Sequence, residues 1–199
     1  MSFLGFDLIV FIKAAGYLGA FGFVFAESGL LIGFFLPGDS LLFTAGFLAS
    51  QGFLNIWILV FGAWLFAVLG DTVGYWFGNR VGVKLFRRED SRFFKKAHLL
   101  KAQAYYEKHG KKTIILARFI PIVRTFAPIV AGIGSMRYSV FLAYNIIGGL
   151  IWGVGMPLAG YWFGNIIPNP DRYLLPIVAG IIVVSLIPPA VQFVKSRRM

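Results

Sequence analysis

The hexapeptide GYWFGN occurs twice in this chain, at residues 74–79 and again at residues 160–165. The offset of 86 residues also superposes Ala45-Gly46 on Ala131-Gly132 and Gly62 on Gly148. Chance supplies isolated glycines easily but an identical hexapeptide hardly at all. The sequence therefore predicts two related halves, each ending in the same helical signature.

Composition places both halves in a membrane. Of 199 residues, 58% are hydrophobic and only 14% are charged, against about 45–50% and 25% in a soluble domain. The chain contains no cysteine and two histidines, so disulfides, thiolate metal sites and Cys nucleophiles are excluded, and we expect no metal or cofactor. The N-terminus has no signal-peptide pattern. We predict one membrane domain, 1–199, without a separate soluble domain.

Apolar runs of about 20 residues or more predict three membrane-spanning helices, at 54–78, 138–164 and 174–194. Two further apolar stretches are interrupted by helix breakers, namely Pro37, Gly38, Pro121, Pro128 and Gly132. Irregular backbone at membrane depth needs protein or a water-filled cavity around it. We therefore predict two re-entrant hairpins, near 28–50 and 114–135. The alternative is that the prolines only kink ordinary spanning helices.

Charge in the loops predicts the orientation. The stretch 80–112 carries eleven Lys and Arg against three acids, so it and the basic C-terminus should be cytoplasmic. The fold is then an all-α integral membrane protein with an inverted-topology repeat: repeat 1 over about 8–79, repeat 2 over about 113–165, and the C-terminal helix 174–194. The segment 80–112 is either an amphipathic helix on the anionic leaflet or a solvated loop.

Five ionisable side chains fall at or near membrane depth, where a charge costs about 2.5–3.5 kcal/mol on insertion scales and is functional by default. They are Glu27, Asp39, Asp71, Arg118 and Arg124. The arginines match carboxylate or phosphate oxygens bidentately and suggest an anion site. The acids suit proton coupling, because burial in hydrocarbon favours the neutral form of a carboxylate.

Each of these residues also has a purely structural interpretation. Glu27 and Asp39 would otherwise pair with Arg118 and Arg124 only to hold the hairpins in register. Asp71 is expected near the cytoplasmic end of its helix and is the weaker candidate. Asn145 suits a hydrogen bond between helices, and the five tryptophans suit packing or the membrane interface. Gly148, Gly149 and Gly153 favour close helix packing, either within the chain or in a homo-oligomer.

These residues resemble the DedA family of integral membrane proteins. The resemblance rests on Glu27 with Leu36-Pro37-Gly38-Asp39, on Gly70-Asp71 with Gly74-Tyr75 and Gly78, and on Arg118-Phe119-Ile120-Pro121-Ile122-Val123-Arg124 with Pro128 and Ala131-Gly132. Met136, Phe141, Asn145, Gly148 and Trp152 also match, and the resemblance covers about 25–165. It implies a bacterial inner-membrane protein with two re-entrant hairpins that moves phosphate-bearing lipids, notably undecaprenyl phosphate, with the proton motive force. Glu27, Asp39, Arg118 and Arg124 match positions that the family needs, although Asp39 stands where Glu is common.

The expected function is a proton-linked, non-enzymatic flippase whose partners are the lipid, protons and the bilayer. Rivals are a proton-coupled antiporter of cations or small toxic molecules, and an energy-independent scramblase. A membrane phosphatase lacks a histidine near the arginines or any evident nucleophile. A nucleic-acid partner is not needed to explain the charge, because positive-inside asymmetry already does.

Overall fold

The computed structural model describes residues 8–30, 37–82, 114–115, 118 and 121–166. Five α-helices lie in these ranges: α1 (Leu8–Gly29), α2 (Gly38–Ser50), α3 (Ile56–Phe77), α4 (Pro121–Ile133) and α5 (Tyr138–Ile166). A π-helical turn, Gly78–Gly82, continues α3. The described part of the chain contains no strand, which agrees with the predicted all-α fold.

Two helices are long and apolar enough to cross a membrane. They are Ile56–Val81, with 26 residues, and Tyr138–Ile166, with 29. At 1.5 Å per residue both exceed the roughly 30 Å of a bilayer core. Two of the three predicted spanning helices are thus present as helices of sufficient length and apolarity. The third, 174–194, and nearly all of the basic segment 80–112 lie outside the described residues.

The chain divides into two compact units. Unit 1 comprises residues 1–24, 35–64 and 153–199, and unit 2 comprises residues 25–34 and 65–152. The boundary between the units falls inside helices α1, α3 and α5, so each of these helices has one part in unit 1 and one part in unit 2. The inverted arrangement of the two repeats and their re-entrant course stay predictions.

Unit 1 is built on helix contacts through glycine. A Cβ atom on Gly46 of α2 would overlap the carbonyl oxygen of Pro157 in α5, and one on Gly160 would overlap that of Phe43. Gly153 lies against the backbone of Trp64 in the same way. Small residues let helix backbones approach closely, which is how helices associate without a hydrophobic driving force. Gly153 therefore serves packing within the chain.

Unit 2 repeats this contact with α4 and the C-terminal part of α3. A Cβ on Gly132 would overlap the carbonyl oxygen of Tyr75, and one on Gly78 would overlap that of Ile129. Tyr75 also packs with Ile114, Ala131 and Phe141 in a buried cluster. Its hydroxyl donates to the carbonyl oxygen of Met136, which ties α3 to the turn between α4 and α5.

The turns that follow α2 and α4 each use a left-handed residue. Gly52 has φ 81° after α2, and Ser135 has φ 55° after α4. Phe53 N–H donates to Leu48 O at 3.1 Å, and Met136 N–H donates to Ala131 O at 3.1 Å, so each turn satisfies a carbonyl at the end of its helix. The side-chain oxygen of Asn55 then accepts from Trp57 N–H at 2.9 Å and caps the start of α3.

The predicted breakers act differently from one another. Pro37 precedes α2, Gly38 is its first residue and Pro121 is the first residue of α4, a position where the missing N–H costs nothing. Pro128 lies inside α4, and Gly132 lies one residue before its end. The expectation that Pro128 breaks the helix was wrong, because α4 continues through it. Gly132 stands at the end of α4 and allows close packing against α3.

Candidate functional site

Four charged side chains are buried together with their partners in unit 2. Glu27, Asp71, Arg118 and Arg124 expose 0%, 2%, 3% and 4% of their surface. Burying a charge is expensive unless it is paired and hydrogen-bonded. Keeping these groups out of solvent therefore costs unit 2 a substantial amount of folding free energy.

The first ion pair joins α3 to the stretch before α4. Nη2 of Arg118 donates to Oδ2 of Asp71, and also to Oδ1 of Asn145 in α5. The Asn145 amide in turn donates from Nδ2 to the carbonyl oxygen of Val68 at 3.1 Å. Asn145 thus holds Arg118 on one side and α3 on the other.

Space for the Arg118 side chain is provided by a glycine in α5. A Cβ built on Gly148 would lie 2.9 Å from Cδ and 3.1 Å from Nε of Arg118. Any larger residue at this position would press on the arginine. Gly148, predicted to serve either packing or dimerisation, is therefore part of the arginine's own binding surface.

The second ion pair joins α1 to α4. Nη2 of Arg124 donates to Oε1 of Glu27. The guanidinium carbon of Arg124 also lies 4.7 Å from the ring centroid of Trp152, which is a cation–π contact. Sequence reasoning gave Trp152 only a packing or interface role. The spacing of Asn145, Gly148 and Trp152 at i, i+3 and i+7 marks one helix face and could have linked Trp152 to the site.

The structure pairs the charges differently from the sequence-based expectation. Glu27 does lie on Arg124, but the carboxylate on Arg118 is Asp71 and not Asp39. Asp39 occupies the first turn of α2 in unit 1, where a negative charge is favourable at a helix N-terminus, and its side chain is half-buried.

Asp71 was also expected near the end of its helix, and this was wrong. Since the helix continues through the π turn to Val81, Asp71 lies ten residues, about 15 Å, from that end. This distance is about half the thickness of a bilayer core. The pairing with Arg118 makes Asp71 a principal member of the site.

A carboxylate cluster suited to a metal ion is not present: no group of three or more His, Cys, Asp or Glu comes together among residues 8–30, 37–82, 114–115, 118 and 121–166. Each acid of the site instead faces an arginine. In such an arrangement, another oxyanion can replace the carboxylate as the partner of a buried guanidinium.

Comparison with known proteins identifies the family of this chain. The sequence profile of the VTT domain matches residues 36–162. This chain belongs to the VTT-domain family, the DedA family. Protein DedA of Escherichia coli K12 is 49% identical over 184 residues, covering 92% of this chain and 84% of that protein.

Two further relatives extend the range of similarity. Uncharacterized membrane protein ML0287 of Mycobacterium leprae is 48% identical over 83% of this chain and 73% of its own length. Inner membrane protein YqjA of Escherichia coli K12 is 33% identical over 75% of this chain and 68% of its own. No solved structure matches the chain. The resemblance to the DedA family is confirmed, and the chain is a membrane protein.

Proposed function

We propose that this protein moves phosphate-bearing lipids across the bacterial inner membrane, driven by the proton motive force and without covalent chemistry. The observation that carries the proposal is the state of Arg118. It is buried and bound through Nη2, yet Nε and Nη1 have no hydrogen-bond acceptor among the described residues. Such N–H donors match the oxygen atoms of a phosphate.

The paired acids supply the means of control. While Asp71 and Glu27 are ionised, each holds one arginine and competes with phosphate for it. Protonation neutralises the carboxylate and frees the guanidinium for the headgroup, because an arginine stays charged at any working pH. Loss of the proton on the other side re-forms the ion pair and expels the lipid. Inward proton flow would then drive lipid movement, and Asp39 remains a proposed further proton carrier.

The substrate is proposed at the level of a phosphate-bearing lipid, with undecaprenyl phosphate tested first. Family resemblance suggests that lipid, and the name of YqjA supports the inner membrane as the location. A multi-pass arrangement with a cytoplasmic C-terminus follows from the charge asymmetry of the loops.

The test is transbilayer movement of labelled polyprenyl phosphate in vesicles that contain the purified full chain, with and without a pH gradient. We expect gradient-dependent movement in the native chain. In Arg118→Lys, which keeps the charge but loses the planar fork, the rate should fall at least about tenfold. Asp71→Asn should abolish the response to the gradient. Arg137→Gln, an exposed arginine outside the site, is the matched control and should behave as native.

Three results would contradict the proposal. Movement that persists unchanged without a gradient indicates a scramblase. A folded protein that moves no lipid but carries cations or small toxic molecules against protons indicates an antiporter. Full activity in Arg118→Lys removes the headgroup role of the arginine.

A further inference from the structure

A second basic feature lies on the opposite side of α3 from the ion pairs. Val73, Trp76, Phe77 and Arg80 follow one another at i, i+3, i+4 and i+7, so they form one stripe, and all four side chains are exposed. Asp71 and Tyr75, by contrast, are buried within unit 2. The helix therefore has an inner, charged face and an outer face available to lipid.

Two adjoining grooves follow this stripe. One of about 410 Å³ is lined by Thr72, Val73, Trp76, Phe77, Arg80 and Val81. The other, of about 300 Å³, is lined by Tyr75, Trp76, Asn79, Arg80 and Tyr138. Trp76 and Arg80 line both. Both grooves are mainly apolar and share the guanidinium of Arg80, and the second adds Asn79 and the ring of Tyr138 to its lining.

The shared part is held in place by aromatic contacts. The guanidinium carbon of Arg80 lies 4.8 Å from the ring centroid of Trp76. The Trp76 ring meets Tyr138 edge to face at 6.2 Å, and Tyr138 packs on Tyr75 at 5.5 Å. Stacking on an aromatic face leaves the in-plane N–H groups of an arginine available. Arg80 forms no ion pair within the part of the chain that the structure describes.

We infer that the Arg80–Trp76 platform is a docking site for a membrane lipid that carries a phosphate monoester, ahead of the buried site; the inference rests on the proposed function. A phosphate monoester presents about two negative charges and three acceptor oxygens. Arg80, Asn79 and Tyr138 can donate to it. The hydrocarbon chain lies along Phe77 and Val73, which continue the stripe by about 10 Å toward the bilayer centre.

The two arginine sites are separated along one helix. Arg80 lies nine residues, about 13 Å, from Asp71 along the axis. The platform occupies the last turn of the spanning segment, where Trp and Tyr favour the interface between water and lipid. A headgroup bound there is still hydrated on one side, so capture at Arg80 precedes the costly transfer to Arg118.

Photocrosslinking tests the docking site. The probe is a diazirine-labelled polyprenyl phosphate in vesicles containing the full chain, with labelled peptides identified by mass spectrometry. We expect residues 73–81 to be labelled in the native chain. Arg80→Gln should reduce that labelling about tenfold, and Arg80→Lys less, since it keeps the charge but loses the stacking. Arg137→Gln, which removes an exposed arginine that lines neither groove, is the matched control and should not change it.

Several results would contradict the docking site. Equal labelling in Arg80→Gln and the native chain, or an equal loss in Arg137→Gln, would reduce Arg80 to an interface anchor and overturn the inference. So would equal labelling by the corresponding polyprenyl alcohol. Displacement by millimolar inorganic phosphate would show an anion site that does not need the lipid.

Transport kinetics separate this inference from the proposed function. Arg80→Gln should lower the rate at low lipid concentration and approach the native rate at saturation, because only capture is weakened. Arg118→Lys should be slow at every concentration. If no lipid moves in any variant, the proposed function fails, whereas native rates in Arg80→Gln at all concentrations overturn only the docking site.

Discussion

Units 1 and 2 each contain the same type of internal glycine contact, but the paired helices differ in register. In each unit, a glycine of the short helix pairs with a glycine of the long helix. Each glycine of the pair lies against the backbone carbonyl oxygen of the residue three positions before its partner. Gly46 is matched in this way with Gly160, and Gly132 with Gly78. The 86-residue repeat aligns Gly46 with Gly132, but it aligns Gly160 with Gly74. The helix pairing within unit 2 therefore differs in register from that within unit 1 by four residues, about 6 Å along a helix.

The units differ equally in their polar content. Within the described residues both buried ion pairs belong to unit 2. The repeat places Pro157 where unit 2 has Asp71, Gly38 where it has Arg124, and Leu59 where it has Asn145. The buried polar groups of unit 1 include the hydroxyls of Ser40 and Thr44, which carry no charge. The backbone contact thus occurs in both units, whereas the buried ion pairs of the described residues lie in unit 2 and take their acids from repeat 1 and their arginines from repeat 2.

The largest effect is expected from breaking the Asp71–Arg118 pair. Asp71→Ala leaves a buried guanidinium without its counter-charge, which should destabilise the protein by about 3–5 kcal/mol. The double variant Asp71→Ala with Arg118→Leu should recover most of this loss, because no lone charge is left. Unfolding free energies measured in detergent micelles give both values.

Unit 1 supplies the control for that measurement. Thr44 is buried, and its hydroxyl has no hydrogen-bond partner among the described residues. Thr44→Val removes the hydroxyl at nearly constant volume and should leave stability unchanged or slightly higher. A loss of under about 1 kcal/mol in Asp71→Ala would contradict the difference between the units.

The register difference predicts opposite outcomes for equivalent glycines. Gly160→Ala would drive a Cβ into the carbonyl oxygen of Phe43, whereas in Gly74→Ala the nearest atom, Cβ of Pro128, is 3.4 Å away. The first should cost about 1–3 kcal/mol and the second much less. The measurement is the thermal unfolding midpoint of each purified variant.

A glycine of α5 without close neighbours sets the baseline. No atom lies within 4 Å of the position that a Cβ on Gly155 would occupy, so Gly155→Ala should be neutral or stabilising through helix propensity. If Gly74→Ala and Gly160→Ala were equally destabilising, the helices of both units would pair in the same register, and the four-residue difference in register would be refuted.

Properties that depend on composition were predictable from the sequence. The spanning segments 54–78 and 138–164 agree with Ile56–Val81 and Tyr138–Ile166 within a few residues, because an uninterrupted apolar run of that length has few other solutions in a membrane. The repeat likewise located Gly46 and Gly132, both of which pack against a carbonyl oxygen.

Pairing of the charges was not predictable in full. Which carboxylate meets Arg118 depends on how far α3 extends and on the register of the helices, and neither is a local property. The predicted end at residue 78 placed Asp71 too near the end of its helix, since the π turn prolongs the span to Val81. Pro128 was misjudged for a related reason: packing around α4 keeps it helical despite the lost donor.

The smallest effect that still distinguishes the units concerns two tryptophans of α5. Trp152, in unit 2, is buried beneath the guanidinium of Arg124, whereas Trp162, in unit 1, is exposed. Trp152→Leu removes a cation–π contact of about 1 kcal/mol together with packing volume, and Trp152→Phe retains an aromatic face and should cost less. Trp162→Leu is the matched control and should change the unfolding free energy by under about 0.5 kcal/mol.

Packing and cation–π contributions at Trp152 separate when Arg124 is absent. In a background carrying Glu27→Gln and Arg124→Met, no lone buried charge is left, and Trp152→Leu then reports packing alone. The cost of Trp152→Leu in the native chain should exceed its cost in that background by about 1 kcal/mol. Equal costs in the two backgrounds would mean that Trp152 only fills space, and Arg124 would then be held by Glu27 without help from the ring.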